Sequence, residues 1–213
     1  MTPYYQDTKI IIHKIKCEPY DNNSYVLVCP KTNESLIIDA PASPEEIIDV
    51  AIRTTVKSIL ITHNHLDHIQ GLSAITSYIK TKVGISKPDA FSLHRHPDFF
   101  LEDMSGVTFG TTTLKVLSTP GHTPGSTCFL FDKHVFTGDT LFPGGPGKTR
   151  TPDDFKQILL SINSKLLGLP QGCHFYPGHG RDSTIEIARG EYDIFTQKDH
   201  PENLCGDVLW LKS

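Results

Sequence analysis

The short apolar run Lys57–Thr62 leads straight into His63-Asn64-His65-Leu66-Asp67-His68. Three imidazoles and a carboxylate within six residues suit neither a packed core nor a featureless surface, because unpaired polar groups are costly when buried. They suit a metal. Two histidines at i and i+2 in a loop can grip one ion, while Asp67 and His68, at the start of the following helix, can turn toward a second. Such a run asks for a rigid sheet whose strand ends present ligands while the loops beyond leave room for a substrate.

Three further segments sit just past strand-like runs: His122 in Thr119-Pro-Gly-His-Thr-Pro-Gly125, Asp139 in Phe136-Thr-Gly-Asp-Thr140, and His179 in Tyr176-Pro-Gly-His-Gly180. Each is weak alone. A loop histidine is usually only that, and an aspartate at a strand end usually caps a turn. The four segments together, in this order, make a specific signal.

The rest of the chain supplies the scaffold. Gly and Pro number 16 and 15, which favours short strands and turns over a helical bundle. Alternating or continuous apolar runs predict strands at Lys9–Lys16, Ser24–Cys29, Ser35–Asp39, Lys57–Thr62, Val83–Ser86, Thr111–Leu117, Ser126–Phe131, Val135–Gly138 and Phe175–Pro177. Helices are predicted from a Ser43 cap with Pro44 at the first position and acids in the first turn, at Gly71–Lys80, at Asp153–Asn163 with Thr151 as cap, and at Ser183–Arg189. With no repeat or low-complexity linker, residues 1–213 read as one α/β domain. The order of elements fits two mixed sheets with helices outside, a four-layer α/β/β/α sandwich.

The net charge of −4 provides no basic footprint for nucleic acid. The N-terminal run has no signal-peptide pattern, and no segment has the length and apolarity of a membrane span. The five cysteines are widely spaced without a CxxC pair, which reads as reduced thiols in a cytoplasmic protein. Cys29 and Cys128 lie in strands. His13 falls in a strand, His134 in a hairpin turn, and His174 and His200 lack partners. His94 and His96 repeat the HxH spacing without a following Asp-His and are expected to border a substrate mouth rather than bind metal.

The series HxHxDH, GH, GD and GH over residues 63–179 resembles the metallo-β-lactamase superfamily. The resemblance implies that His63, His65 and His122 hold one divalent metal, that Asp67, His68 and His179 hold a second, and that Asp139 bridges them. Asp67 and Asp139 would then be catalytic. Nitrogen and carboxylate donors suit zinc, with iron or manganese tolerated. Asp39, closing Leu36-Ile-Ile-Asp39, matches a position that supports the ligands or is simply a strand-end turn residue. Within the superfamily, lactamases of the main zinc class carry Cys where this chain has Asp139, and diiron oxygen reductases carry Glu at His65. Asn22-Asn-Ser-Tyr25, Thr119–Gly125 and Gly138-Asp-Thr-Leu-Phe-Pro-Gly-Gly-Pro-Gly-Lys148 resemble the glyoxalase II-like group, which hydrolyses thioesters such as S-lactoylglutathione. That group implies a small anionic substrate contacted by Lys148. Arg150, standing where an aromatic is usual, is a second contact candidate. Longer members add a C-terminal helical domain for glutathione, for which this chain has little length after His179. A mononuclear-iron persulfide dioxygenase, a lactonase and a metal-binding module without activity are the alternatives; the oligomeric state is left open.

Overall fold

Two sheets lie face to face in the computed structural model, which describes residues 2–213. The first contains β1 (Tyr5–Gln6), β2 (Ile11–Cys17), β3 (Asn22–Val28), β4 (Glu34–Ile38), β5 (Thr55–Leu60), β6 (Lys82–Ile85) and β7 (Phe99–Phe100), in sequence order. Its first four strands pair antiparallel and the later pairings are parallel. Parallel neighbours need crossovers: α1 (Glu45–Ala51) joins β4 to β5, and α2 (Leu66–Ile69) with α3 (Leu72–Tyr78) joins β5 to β6. The second sheet holds β8 (Gly106–Phe109), β9 (Thr112–Ser118), β10 (Thr127–Phe131) and β11 (His134–Gly138). After the ribbon β12 (Leu141–Phe142) and β13 (Gly145–Pro146), helix α4 (Pro152–Lys165) crosses over to β14 (His174–Pro177), which lies parallel to β11. The edge strand β15 (Ser183–Thr184) precedes α5 (Ile185–Thr196).

Period-two alternation of the central strands explains the layering. Leu27, Leu36, Leu60, Phe129 and Phe136 fill the space between the sheets. Their sequence neighbours Val26, Ile37 and Ile59 point the other way, onto Ile47 of α1 and Ile75 of α3. Cys128, Val135 and Phe175 meet Ile158 and Ile162 of α4 and Ile185 and Ala188 of α5. Strands buried on both faces read as near-continuous apolar runs, and three apolar layers between four structural layers give the predicted α/β/β/α sandwich.

Several boundaries differ from the sequence reading. Ser43 does not cap α1: it has φ +54°, and Pro44 occupies the cap position without a side-chain hydrogen bond. Acidic Glu45 and Glu46 complement that helix start instead. Thr151 caps α4 as expected, in a reciprocal capping box with Asp154. The last helix starts after Thr184 and runs to Thr196, because Ser183 and Thr184 are taken up by pairing with β14. His134 is not in the hairpin turn. It opens β11 opposite Phe131, is buried, and its Nδ1 lies 2.8 Å from the Tyr176 hydroxyl; Asp132 and Lys133 make the turn, with Asp132 at φ +51°. His200 has a partner too, the Phe195 carbonyl at 2.7 Å.

The segment after α5 carries a further anchor. Trp210 is fully buried among Tyr192, Phe195 and the α4 face, and its backbone N–H donates to the Gly144 carbonyl at 2.8 Å. This ties the chain end to the β12–β13 ribbon. Trp210→Ala is expected to cost about 3–5 kcal/mol of stability by leaving a large cavity. Trp210 is the only tryptophan, so the loss is read from denaturant melts followed by circular dichroism rather than fluorescence.

Candidate metal centre

The strand ends converge at one edge of the sandwich. β5 delivers Thr62 and His63, and the turn into α2 delivers His65, Asp67 and His68. The loop after β9 delivers His122, the end of β11 delivers Asp139, and the end of β14 delivers His179. Gly178 permits the closest approach: a Cβ there would lie 2.3 Å from Asp139 Oδ1 and 2.7 Å from the His68 ring.

The seven side chains form two facing groups. His65 Nδ1 lies 3.1 Å from His63 Nε2 and 2.9 Å from His122 Nε2. On the other side, His179 Nε2 lies 3.1 Å from His68 Nε2 and 3.2 Å from Asp67 Oδ2. Donors about 2.0–2.2 Å from a common tetrahedral ion stand roughly 3.3 Å apart, so both groups have the spacing of a ligand set. Asp139 lies between them. Its Oδ2 is 3.6 Å from His122 Nε2 and 3.5 Å from His179 Nε2, and its Oδ1 is 3.4 Å from His68 Nε2. Asp139 Oδ1 is buried with no hydrogen-bond partner, a costly state for a carboxylate oxygen that a cation would relieve. The residues therefore fit divalent metal.

Contacts on the far side of each ring select its tautomer. His122 Nδ1 is 2.7 Å from the Lys148 carbonyl, and His179 Nδ1 is 2.8 Å from the Tyr20 carbonyl. Carbonyls only accept, so both rings carry the proton on Nδ1 and turn the Nε2 lone pair inward. Asp39 performs the same task for His68 at 2.8 Å. It also accepts from the Thr62 backbone N–H at 2.7 Å and hydroxyl at 2.8 Å, and that hydroxyl lies 3.0 Å from His63 Nδ1. One buried carboxylate thus orients a ring in each group.

Burial, followed by neighbouring imidazoles, pushes His63 well below its ordinary pKa and His65 down to about 4. Both are neutral near pH 7 with lone pairs free. Burial would raise the Asp139 carboxyl, but the charge of the neighbouring His68 holds it far below the carboxylate range. Burial also acts against His68, yet Asp139 and Asp39 outweigh it and carry that imidazole well above its usual value. The charge His68 gives these buried carboxylates is a charge that a metal ion would supply.

Three supports escaped the sequence reading. Asn22 donates to Asp67 Oδ2 at 3.0 Å, fixing that carboxylate. Asn23 ties the first hairpin to the His179 loop through the Pro177 and Gly180 carbonyls, both at 3.0 Å. Asp89, fully buried, accepts from Asn64 N–H at 3.0 Å, Gly125 N–H at 2.9 Å and the Thr123 hydroxyl at 2.7 Å, locking the His65 loop to the His122 loop. The paired asparagines were the only visible signal, and Asp89 gave none.

A cleft of about 670 Å³ opens beside the cluster, lined by Tyr20, Leu66, Asp67, Gln70, Lys148 and His179. A wider groove of about 790 Å³, which includes Lys57, Lys80 and Lys82, contains no cluster residue; size does not locate the chemistry. The backbone of Thr149 pairs with that of Gly206, and Arg150, exposed, follows Lys148 without lining the cleft. His94 and His96 join neither group.

The sequence profile of the Metallo-beta-lactamase superfamily matches residues 17–179, three quarters of the chain and all seven clustered side chains. The chain belongs to the metallo-beta-lactamase superfamily. Among curated relatives of this superfamily member, a probable hydroxyacylglutathione hydrolase from Schizosaccharomyces pombe is 35% identical over 75% of this chain and 64% of the relative. A hydroxyacylglutathione hydrolase from Bartonella quintana is 32% identical over 96% of this chain and 79% of the relative. The chain therefore spans a little under two thirds of the first of these and more of the second. The solved structure of the BLEG-1 B3 metallo-beta-lactamase superposes with a TM-score of 0.77 at 28% identity, covering 84% of this chain and 96% of that one. The superfamily supports a metal-binding hydrolase. Among the described residues no helix is long and apolar enough to cross a membrane, and the five cysteines are unpaired.

Proposed function

We propose that this chain is a dinuclear metal-dependent hydrolase of thioesters, of the glyoxalase II type. The observation that carries this is the Asp139 carboxylate set between two complete donor groups, one of its oxygens buried without a partner. In this reading His63, His65 and His122 would hold one ion and Asp67, His68 and His179 the other, with Asp139 available to both. Zinc suits these donors best. Bound there, the ions supply a hydroxide at neutral pH and Lewis-acid polarisation of a carbonyl.

The chain's own residues do the rest. Asp39, Thr62, Lys148 and Tyr20 fix the rings, and Asn22 fixes Asp67. Asp67 is held ionised: burial raises its carboxyl, but the neighbouring His179 and His68 imidazoles and the hydrogen bond from Asn22 outweigh that. It is no proton donor. A thiolate with a pKa of about 8.5 leaves without one, which favours a thioester over esters with poorer leaving groups. The net charge of −4 leaves no basic footprint for nucleic acid, and the Lys148 ammonium at the cleft suits a small anionic substrate.

Lys148 has two separable parts. Its carbonyl orients His122, while its exposed ammonium lines the cleft, 3.9 Å from exposed Asp207. Lys148→Ala keeps the carbonyl and removes the charge. It is expected to raise KM for an anionic thioester about tenfold, with little change in kcat or with a neutral thioester, because such a contact is shared by ground and transition states. Steady-state kinetics on the pair tests it; equal losses on both substrates would remove Lys148 from substrate binding.

The function is tested by metal analysis and a substrate screen with S-lactoylglutathione, a lactone, a β-lactam and a phosphodiester. About two ions per chain and preferential thioester turnover, abolished by chelation, are expected. One tightly bound iron with oxygen uptake would favour the persulfide dioxygenase reading instead.

A further inference from the structure

A second, narrower space opens off the cleft. It measures about 120 Å³ and lies between α2–α3 and the segment following the 3₁₀ turn Lys87–Ser92. Leu66 and Gln70 line both spaces. Spaced i and i+4, they share a helical face. Ile69 and Leu72, only 7% and 5% exposed, also line it, together with Leu93, while the polar Ser73 and His94 that complete the lining are exposed. Lys148 lines the cleft but not this crevice, so the crevice leads away from the cation. Arg95, on its rim, is paired with Asp98 at 2.8 Å. Leu66 is the unusual residue: it stands between His65 and Asp67 in sequence yet is 61% exposed. An apolar side chain placed there is useful where an apolar part of the substrate passes over it.

We propose that this crevice receives the acyl chain of the substrate and makes the enzyme selective for apolar acyl groups of about four or five carbons. This rests on the thioester reading above and adds the acyl class to it. An apolar cavity of about 150 Å³ takes benzene, so a space of about 120 Å³ suits a short straight chain rather than a ring. The thioester carbonyl then sits by the cluster, the anionic thiol portion extends toward Lys148, and the acyl chain runs over Leu66 into the crevice.

The test is kcat/KM of the metal-loaded protein on acetyl, butanoyl, pentanoyl, hexanoyl and octanoyl thioesters of one anionic thiol. Each methylene up to about pentanoyl is expected to raise kcat/KM roughly fourfold, with octanoyl falling back. Leu93→Trp, which fills the crevice from a partly exposed loop position, is expected to cut the pentanoyl-to-acetyl ratio at least tenfold. Circular dichroism and metal content verify its fold. Calorimetric binding of pentanoate against acetate gives a readout without turnover, with pentanoate the tighter ligand in the parent and the difference lost in the variant. Thioester turnover without chain-length preference would overturn the crevice while leaving the hydrolase reading standing. Absence of turnover on every thioester, alongside activity on another class, would overturn both.

Discussion

Asp139→Ala is expected to lower kcat/KM by about a thousandfold or more and to reduce bound metal from about two ions toward one. The carboxylate is buried at the junction of the two donor groups, within 4.0 Å of ring nitrogens of His63, His68, His122 and His179. Each group retains three other donors, so an ion could still bind; in the dinuclear reading, what disappears is the anion that would offset two neighbouring cations. A thousandfold is about 4 kcal/mol of transition-state stabilisation, within the several kcal/mol ascribed to metal polarisation and hydroxide supply. Atomic-absorption metal counts and kinetics at saturating metal measure the two effects separately. His96→Ala is the matched control, since His96 lies outside both groups, and should leave metal content and turnover nearly unchanged. Metal loss in His96→Ala together with retention in Asp139→Ala would overturn the ligand assignment.

Asp39→Asn is expected to weaken metal binding about ten- to a hundredfold, the usual consequence of losing a carboxylate behind a ligating histidine. Asp39 has φ +60°, a conformation that asparagine tolerates and alanine does not, so Asn is the substitution that isolates the charge. The amide can still accept from one neighbour, but it no longer serves the Thr62 N–H, the Thr62 hydroxyl and His68 Nδ1 together. Competition with a chromogenic chelator reads the affinity directly. Activity should return in excess metal, because the variant retains every ligand. An unchanged affinity would make Asp39 a strand-end turn residue and nothing more.

The layered fold was legible because it rests on short-range periodicity. Val26 and Leu27, or Phe175 and Tyr176, alternate between two apolar layers, and any strand buried on both faces shows that as an apolar run. Boundaries were less legible where a contact from elsewhere decided them. Pairing of Ser183 and Thr184 with β14 delayed α5, and Trp210 drew the chain end onto the β12–β13 ribbon.

Residue type and order alone determined the inventory of the centre: His63, His65, Asp67, His68, His122, Asp139 and His179 each follow an apolar strand or open the helix after it, and that is a local pattern. Only the tertiary structure decided how the inventory is used. Asp39 reaches His68 across 29 residues, and Asp89 reaches Gly125 across 36. The Lys148 carbonyl turns His122 while its side chain lines the cleft, and Arg150 does not line it. A hydrogen bond has a direction and a partner, and neither is encoded by the residue that makes it. Which ring nitrogen faces inward, which carboxylate stands behind the rings, and which cation lines the cleft are decided only when distant strand ends meet at one edge of the sandwich.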